Sequence, residues 1–221
     1  GSEMCIRDSF NPCFVLDLTA TPKKESNIIS YVDAVQLKNE HMVKLPVIVY
    51  NRDSQSEVLI DAIDLRNKLE EIANAEYAKT GKYIRPIALF QAQPKGKEDA
   101  TTFEKLRDKL VDAGIPADQI AIRTADVNEL KNVELMSPNC PIRYIITVNA
   151  LKEGWDCPFA YILASLANKT SQVDVEQILG RILRLPHTSQ HTQSALNMSY
   201  VLTSSNDFNN TVALSLIHIS E

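Results

Sequence analysis

Two arginines stand three residues apart near the C-terminal end of the chain, in Gln177-Ile178-Leu179-Gly180-Arg181-Ile182-Leu183-Arg184-Leu185-Pro186. In a helix, residues i and i+3 share a face, so a helical reading points both guanidinium groups the same way. Two planar, permanently charged forks on one face suit a polyphosphate better than a single carboxylate. Taken alone, R-x-x-R also fits the solvated end of an amphipathic helix.

Upstream lies Tyr144-Ile145-Ile146-Thr147-Val148-Asn149-Ala150-Leu151-Lys152-Glu153-Gly154-Trp155-Asp156-Cys157-Pro158. It reads as a buried strand, a short helical turn, then Gly-Trp-Asp. Gly154 suits a backbone turn where a side chain would block an approaching ligand or chain. Asp156 can accept a hydrogen bond from a ribose hydroxyl or fix Arg181; otherwise it is a helix N-cap or an Asx-turn. The bland role for Arg181 is an ion pair with Asp156 or Glu153. Trp155 reads as packing between domains rather than stacking on a base. Thr147 and Asn149 suit contact with a nucleic-acid phosphate through hydroxyl, amide and backbone N–H. Lys152 adds positive charge there, unless it is simply solvated.

The elements that must position these residues follow from apolar periodicity. Strands are expected at Cys13–Leu18, Val43–Tyr50, Ile84–Gln91, Gln119–Arg123, Ile142–Val148, Phe159–Leu166 and Met198–Thr203. Helices are expected over Ser56–Lys79, with Leu59, Ile63, Leu65, Leu69, Ile72 and Ala73 as the apolar stripe, over Thr101–Ala113, with Phe103, Leu106, Leu110 and Val111 inward, and over Asp174–Leu183. Gly81 and Gly114 close the first two. Residues 23–42 read as a linker with short helical pieces, and Gln93–Lys97 as a loop. Strands alternating with helices mean a parallel sheet with crossovers. Ligands bind such sheets at the carboxyl ends of the strands. That rule puts Gln91, Thr147–Asp156 and the helix of Arg181 and Arg184 on one rim.

Three segments together resemble a known family. Leu16-Asp17-Leu18-Thr19-Ala20-Thr21-Pro22, the Gly154-Trp155-Asp156 segment and the Gln177–Arg184 segment resemble, in order, motifs III, V and VI of superfamily 2 helicases and translocases. The form E-G-W-D-C-P with Q-I-L-G-R-I-L-R-L-P is most similar to the ATP-dependent Res subunit of type III restriction enzymes. The resemblance covers nearly all of residues 10–210. It implies an α/β fold, a RecA-like parallel sheet with helices on both faces, as the second motor lobe of a superfamily 2 helicase. It implies Arg184 as an arginine finger, Arg181 and Gln177 as its catalytic companions, and Gly154, Asp156 and Gly180 at the nucleotide. It also implies nucleic-acid contacts at Thr147, Asn149, Lys152 and Gln91, and coupling between lobes through Thr19 and Thr21, which otherwise only cap a strand end.

The cofactors implied are ATP and Mg2+ in a full-length protein. The Mg2+ ligands and the phosphate cradle are absent here: Gly81-Lys82 and Gly96-Lys97 are followed by Tyr83 and Glu98 where Ser or Thr is required. The chain is thus expected to hold half an ATP site and to hydrolyse no ATP alone. The partners implied are double-stranded DNA, the first RecA-like lobe and a nuclease domain of the same protein, and a methyltransferase (Mod) subunit. Neighbouring readings are another superfamily 2 motor, such as a type I restriction or repair enzyme, and an ATP-independent α/β module that binds DNA or a partner.

Composition agrees with a local basic site rather than a DNA-coating protein. The net charge is −5, and non-specific phosphate binding needs concentrated Lys and Arg. Residues 1–9 and 214–221 each resemble a translated frame of the adapter used in transposase-based sequencing, so both are set aside from fold reasoning. The apolar run Leu214–Ile219 is otherwise a terminal strand. Without these ends, which carry Arg7, Glu3, Asp8 and Glu221, the net charge becomes −3. Cys13, Cys140 and Cys157 form no C-x-x-C, no histidine pair is read at ligand spacing, and zinc and disulfides are not expected. A reducing cytoplasm fits this cysteine usage. No run approaches the ~20 apolar residues of a membrane helix. The expected organisation is an adapter-like 1–9, the end of a first lobe and linker at 10–42, the second lobe at 43–213, and an adapter-like 214–221.

Overall fold

The computed structural model describes residues 27–30, 32, 34–93, 101–148, 156–167 and 178–205. The chain divides into two units, residues 1–32 and 33–221. The second holds a short helix α1 (Ala34–Asn39), β1 (Val47–Asn51), α2 (Gln55–Thr80), β2 (Ile87–Gln91), α3 (Phe103–Asp112), β3 (Ile120–Ile122), β4 (Tyr144–Thr147), β5 (Ala160–Ser165) and β6 (Ser199–Thr203). Residues 178–182 are also helical. The strand at Cys13–Leu18, with Thr19 and Thr21, lies outside the described residues, as do Leu214–Ile219 and the loop from residue 94 to 100.

The strands form one sheet in the order β1-β6-β5-β2-β4-β3, and every pairing is parallel. Every residue of β2, β4 and β5 is buried, which is why these strands read as unbroken apolar runs rather than alternating ones. β1 is an edge and only half-buried. From β1 to β2 and from β2 to β3 the chain moves one way across the sheet; from β3 onward it moves back. α2 packs on the sheet over β2, β5 and β6, and its first turns share a cleft with the end of α3, lined by Leu59, Ile60, Lys109 and Asp112, as right-handed crossovers running the same way require. The reversal of direction falls between β2 and β5, the switch point at whose carboxyl ends open α/β sheets bind ligands.

Local chemistry explains α2. Ser54 is its N-cap, accepting from the Glu57 N–H at 3.2 Å, and Gly81 closes it at φ 72° with its N–H on the Tyr77 carbonyl. A left-handed cap of this kind is cheap only for glycine. The buried stripe is Val58, Leu59, Ala62, Arg66, Leu69, Ala73 and Glu76. Ile63, Leu65 and Ile72, expected inside, only flank it. Two charged residues hold positions that apolar periodicity cannot assign. Val111 of α3, also expected inward, is 43% exposed, while Leu106 and Leu110 are buried.

Between β3 and β4 the chain runs without a helix or strand. Arg85 holds it from inside, donating to the carbonyls of Ile142 at 2.9 Å, Ser137 at 2.8 Å and Leu135. A fork with five donors can satisfy several loop carbonyls at once.

Candidate functional site

The last ladder positions of five strands are polar and in register: Asn51 against Thr203, Thr203 against Ser165, Ser165 against Gln91, and Gln91 against Thr147. This row is the carboxyl rim of the sheet. Gln91, Thr147, Ser165 and Thr203 are all buried. Ser165 donates to the Gln91 amide oxygen at 3.0 Å. Just outside, Gln93 and Gln55 both donate to the Leu166 carbonyl, at 2.9 and 3.1 Å, and Thr101 donates to Gln55 at 2.9 Å. Gln91 and Thr147, expected to touch nucleic acid, therefore shape this rim from within. Their side chains do not lie open to a phosphate. Asn149 and Lys152, the more polar members of that set, lie outside the described residues, with Glu153, Gly154, Trp155 and Gln177.

Arg184 and Asp156 meet elsewhere. Arg184 Nη1 donates to Asp156 Oδ2 at 2.5 Å, and the pair is open to solvent, with the two side chains 57% and 48% exposed. Asp156 lies just ahead of Ala160, where β5 begins. Arg184 forms an antiparallel bridge with Val43, and the Leu183 carbonyl accepts from the Lys44 N–H. Lys44 itself reaches the first carbonyl of β5, and Ser199, the first residue of β6, lies beside it. The pair is thus at the amino rim. The expected convergence on one rim is corrected: the six residues of β5 separate Asp156 from Gln91 by about 17–20 Å. The carboxyl-end rule governs side chains that follow a strand, and Asp156 precedes one.

A second correction concerns the two arginines. Residues 178–182 are helical, but Arg184 is past the helix end, in the bridge to Val43. Pro186 and the bonds from residues 42–44 draw the chain out before another turn can form. Arg181, half-buried, stays on the helix. The two guanidinium groups do not share one helical face, and Asp156 fixes Arg184 rather than Arg181. Gly180 is exposed and helical, and nothing lies within 4 Å of where its Cβ would be. No positive φ and no crowding within the described residues call for glycine there.

Three features of this rim were not found from the sequence. Lys44 is fully buried among apolar neighbours, and burial pushes its ammonium down to about 7, with Cys157 and Asp156 opposing the shift. The Cys157 thiol is pushed up to about 11, again by burial, so it is an inert core group rather than a nucleophile. Glu76, buried on α2, accepts from the Thr192 hydroxyl at 2.5 Å and from the N–H groups of Thr192 and Gln193 at 2.9 and 3.3 Å. His191 stands 3.8 Å from it, and burial lowers the His191 pKa. His187 and His191, four apart in sequence, come together at this rim. Their rings lie 6.4 Å apart edge to face, and among the described residues no group of three His, Cys, Asp or Glu is placed to hold a metal.

Comparison with solved structures bears on the fold. A fragment assigned as the HsdR subunit of a type I restriction enzyme from Vibrio vulnificus YJ016 matches with a TM-score of 0.55 and 18% identity, over 93% of this chain and 42% of that one. The ATP-dependent type ISP restriction-modification enzyme LlaBIII, solved bound to DNA, matches with a TM-score of 0.50 and 18% identity, over 86% of this chain and 15% of that one. The chain has a RecA-like parallel α/β fold. No protein-family model and no curated protein matches the sequence. The chain spans less than half the length of either of these two restriction enzyme chains. No helix among the described residues is long and apolar enough to cross a membrane.

Proposed function

We propose that this chain is the second motor lobe of an ATP-dependent DNA translocase, with Arg184 as the arginine finger of an ATP site completed by another lobe. The observation that carries the reading is the state of Arg184: a guanidinium 57% exposed, pinned by one exposed carboxylate, just past a helical glycine with open space around it. An exposed ion pair contributes about 0–1 kcal/mol, so Arg184 can leave Asp156 at little cost when a γ-phosphate arrives. There it neutralises charge as the bond to the leaving group loosens, an effect worth ~10³–10⁵ in rate. Asp156, once released, can accept from a ribose hydroxyl. Arg181 supplies a second positive charge, and Gln177 orients it or the attacking water. The bare Gly180 backbone leaves room for phosphate or for the facing lobe. In the complete motor Mg2+ would neutralise phosphate charge from the facing lobe's half of the site; among the described residues no group is placed to hold it.

The form E-G-W-D-C-P with Q-x-x-G-R-x-x-R favours the Res subunit of a type III restriction enzyme, acting on double-stranded DNA in the cytoplasm with a Mod subunit and a nuclease domain. The two restriction-enzyme neighbours support the fold and leave the restriction type open. Arg184→Ala in the complete motor tests the reading. DNA-dependent ATP turnover should be lost with ATP binding little changed, because a group acting only in the transition state affects kcat. Arg184→Lys should recover little, since a point charge cannot replace a planar fork. Wild-type turnover in a folded Arg184→Ala protein rejects the finger.

A further inference from the structure

We propose that Lys44 is the positioning residue of the Arg184–Asp156 pair: one buried side chain that clamps the turn carrying Asp156 to the segment carrying Arg184. Its consequence for turnover rests on the finger reading above; its geometry does not. Both attachments converge on this one residue. The ammonium donates to the Pro158 carbonyl at 2.9 Å and to the Ala160 carbonyl at 2.8 Å. The backbone N–H donates to the Leu183 carbonyl at 2.5 Å, and the Leu185 N–H returns to Met42 at 2.9 Å. Val43 bridges Arg184 directly. The Ser199 hydroxyl lies 3.4 Å from the Lys44 carbonyl and 3.3 Å from that of Ile182. Residues 42–44 therefore form a splint between two segments far apart in sequence, and the Lys44 side chain is its cross-pin.

A lysine is an expensive pin. A buried charge is tolerated only when well satisfied. Here two carbonyls accept from it, and the Tyr161 ring lies 4.1 Å from the ammonium. What a charged pin adds is strength, because a charge-assisted hydrogen bond is roughly twice as strong as a neutral one. It also adds dependence on pH. The titratable or charged groups facing Lys44 are Cys157 and Asp156 ahead of β5 and Tyr161 within it. Burial keeps the Cys157 and Tyr161 groups protonated across the neutral range, which leaves Asp156 as the counter-charge. A lysine that titrates near 7 makes this clamp loosen as pH rises through neutrality. A purely structural lysine would affect stability alone.

Side-chain NMR of the ¹⁵N-labelled 221-residue chain separates the two roles. An ion-paired guanidinium rotates slowly about its Nε–Cζ bond, and Arg184→Lys assigns the signal. Asp156→Asn defines the released state. Lys44→Met keeps the length and apolar stem but removes the ammonium. The slow rotation of Arg184 should be lost in Lys44→Met, as in Asp156→Asn. A folded Lys44→Met chain with wild-type Arg184 rotation overturns the proposal. Should that variant not fold, the wild-type chain decides by pH. Arg184 rotation should quicken between pH 6 and 9, in step with the Lys44 Nζ shift, and a rotation rate constant over that range overturns the proposal equally. Neither measurement involves ATP. Failure of the finger in Arg184→Ala turnover would leave this coupling standing, and failure here would leave the finger standing.

Discussion

The two rims of the sheet are built from opposite materials. At the carboxyl ends four strands finish on buried hydroxyls and amides, with Ser165 on Gln91 and Gln93 on the Leu166 carbonyl, while the edge strand β1 ends on exposed Asn51 ahead of Arg52 paired with Asp61. At the amino ends stand charges: Lys44 buried, Glu76 buried, and Arg184 with Asp156 in the open. A buried polar group without its partner costs the full desolvation penalty, whereas an exposed ion pair is nearly free to break. The carboxyl rim is therefore a frame. The amino rim is the part that can change partners, which a residue handed between a carboxylate and a phosphate must do.

The sharpest way to break this contrast is to cut the frame. Gln91→Ala removes the acceptor of Ser165 and opens space inside a strand with every residue buried. A loss of about 2–4 kcal/mol is expected from the cavity and the stranded hydroxyl together. Urea unfolding measures it. A midpoint equal to wild type would mean that the polar row does not hold the rim.

The next effect is a pH dependence that belongs to the amino rim alone. The Lys44 ammonium sits at about 7 in the folded chain, below the ~10.4 of an unfolded lysine. Between these values the unfolded chain binds more protons, so stability rises with pH, by at most about 1.4 kcal/mol per unit. Above that window the buried Tyr161, Tyr144 and Tyr200, all raised by burial, reverse the trend. Here the folded chain keeps protons that the unfolded chain releases. Denaturation curves from pH 7 to 10 should show the rise in wild type and lose it in Lys44→Met. Parallel curves for the two chains would mean that Lys44 is charged throughout.

Gly180→Ala should sharpen the contrast from the other side. Nothing in the described lobe occupies the space its methyl would fill, and alanine in a helix interior is favoured by about 0.5–1 kcal/mol. The chain should become slightly more stable while the complete motor loses turnover. Greater stability with unchanged turnover would show that nothing docks against this glycine.

What the sequence made legible follows the same division. The frame was readable because it depends on unbroken apolar strands and on a long helix with Gly81 as its stop; the expected α2 differs from Gln55–Thr80 by one residue at each end. Arg184 and Asp156 were readable as chemistry, since residue type and spacing survive without coordinates. Their rim was not, because a residue just ahead of a strand and one just after it look alike until the register is known. Lys44, Glu76 and Arg66 were invisible for a different reason. Periodicity scores a charge as exposed, and only the carbonyls or donors brought to it by distant segments make its burial affordable, such as Pro158 and Ala160 for Lys44.

The smallest effect is also the most direct probe of how Arg184 is held. In a double-mutant cycle on chain stability, Arg184→Ala and Asp156→Ala should couple by only about 0.2–1 kcal/mol, since both side chains are about half exposed. The coupling should shrink further as salt rises, because exposed charges are screened. A coupling of about 3 kcal/mol or more, insensitive to salt, would mark a desolvated pair of the buried kind. Such a pair would hold Arg184 as a structural strut, and releasing it to a phosphate would cost much of what the finger gains. A weak, salt-sensitive coupling is what an arginine waiting to move requires. The carboxylate then keeps the guanidinium oriented between turnovers without competing seriously for it during one.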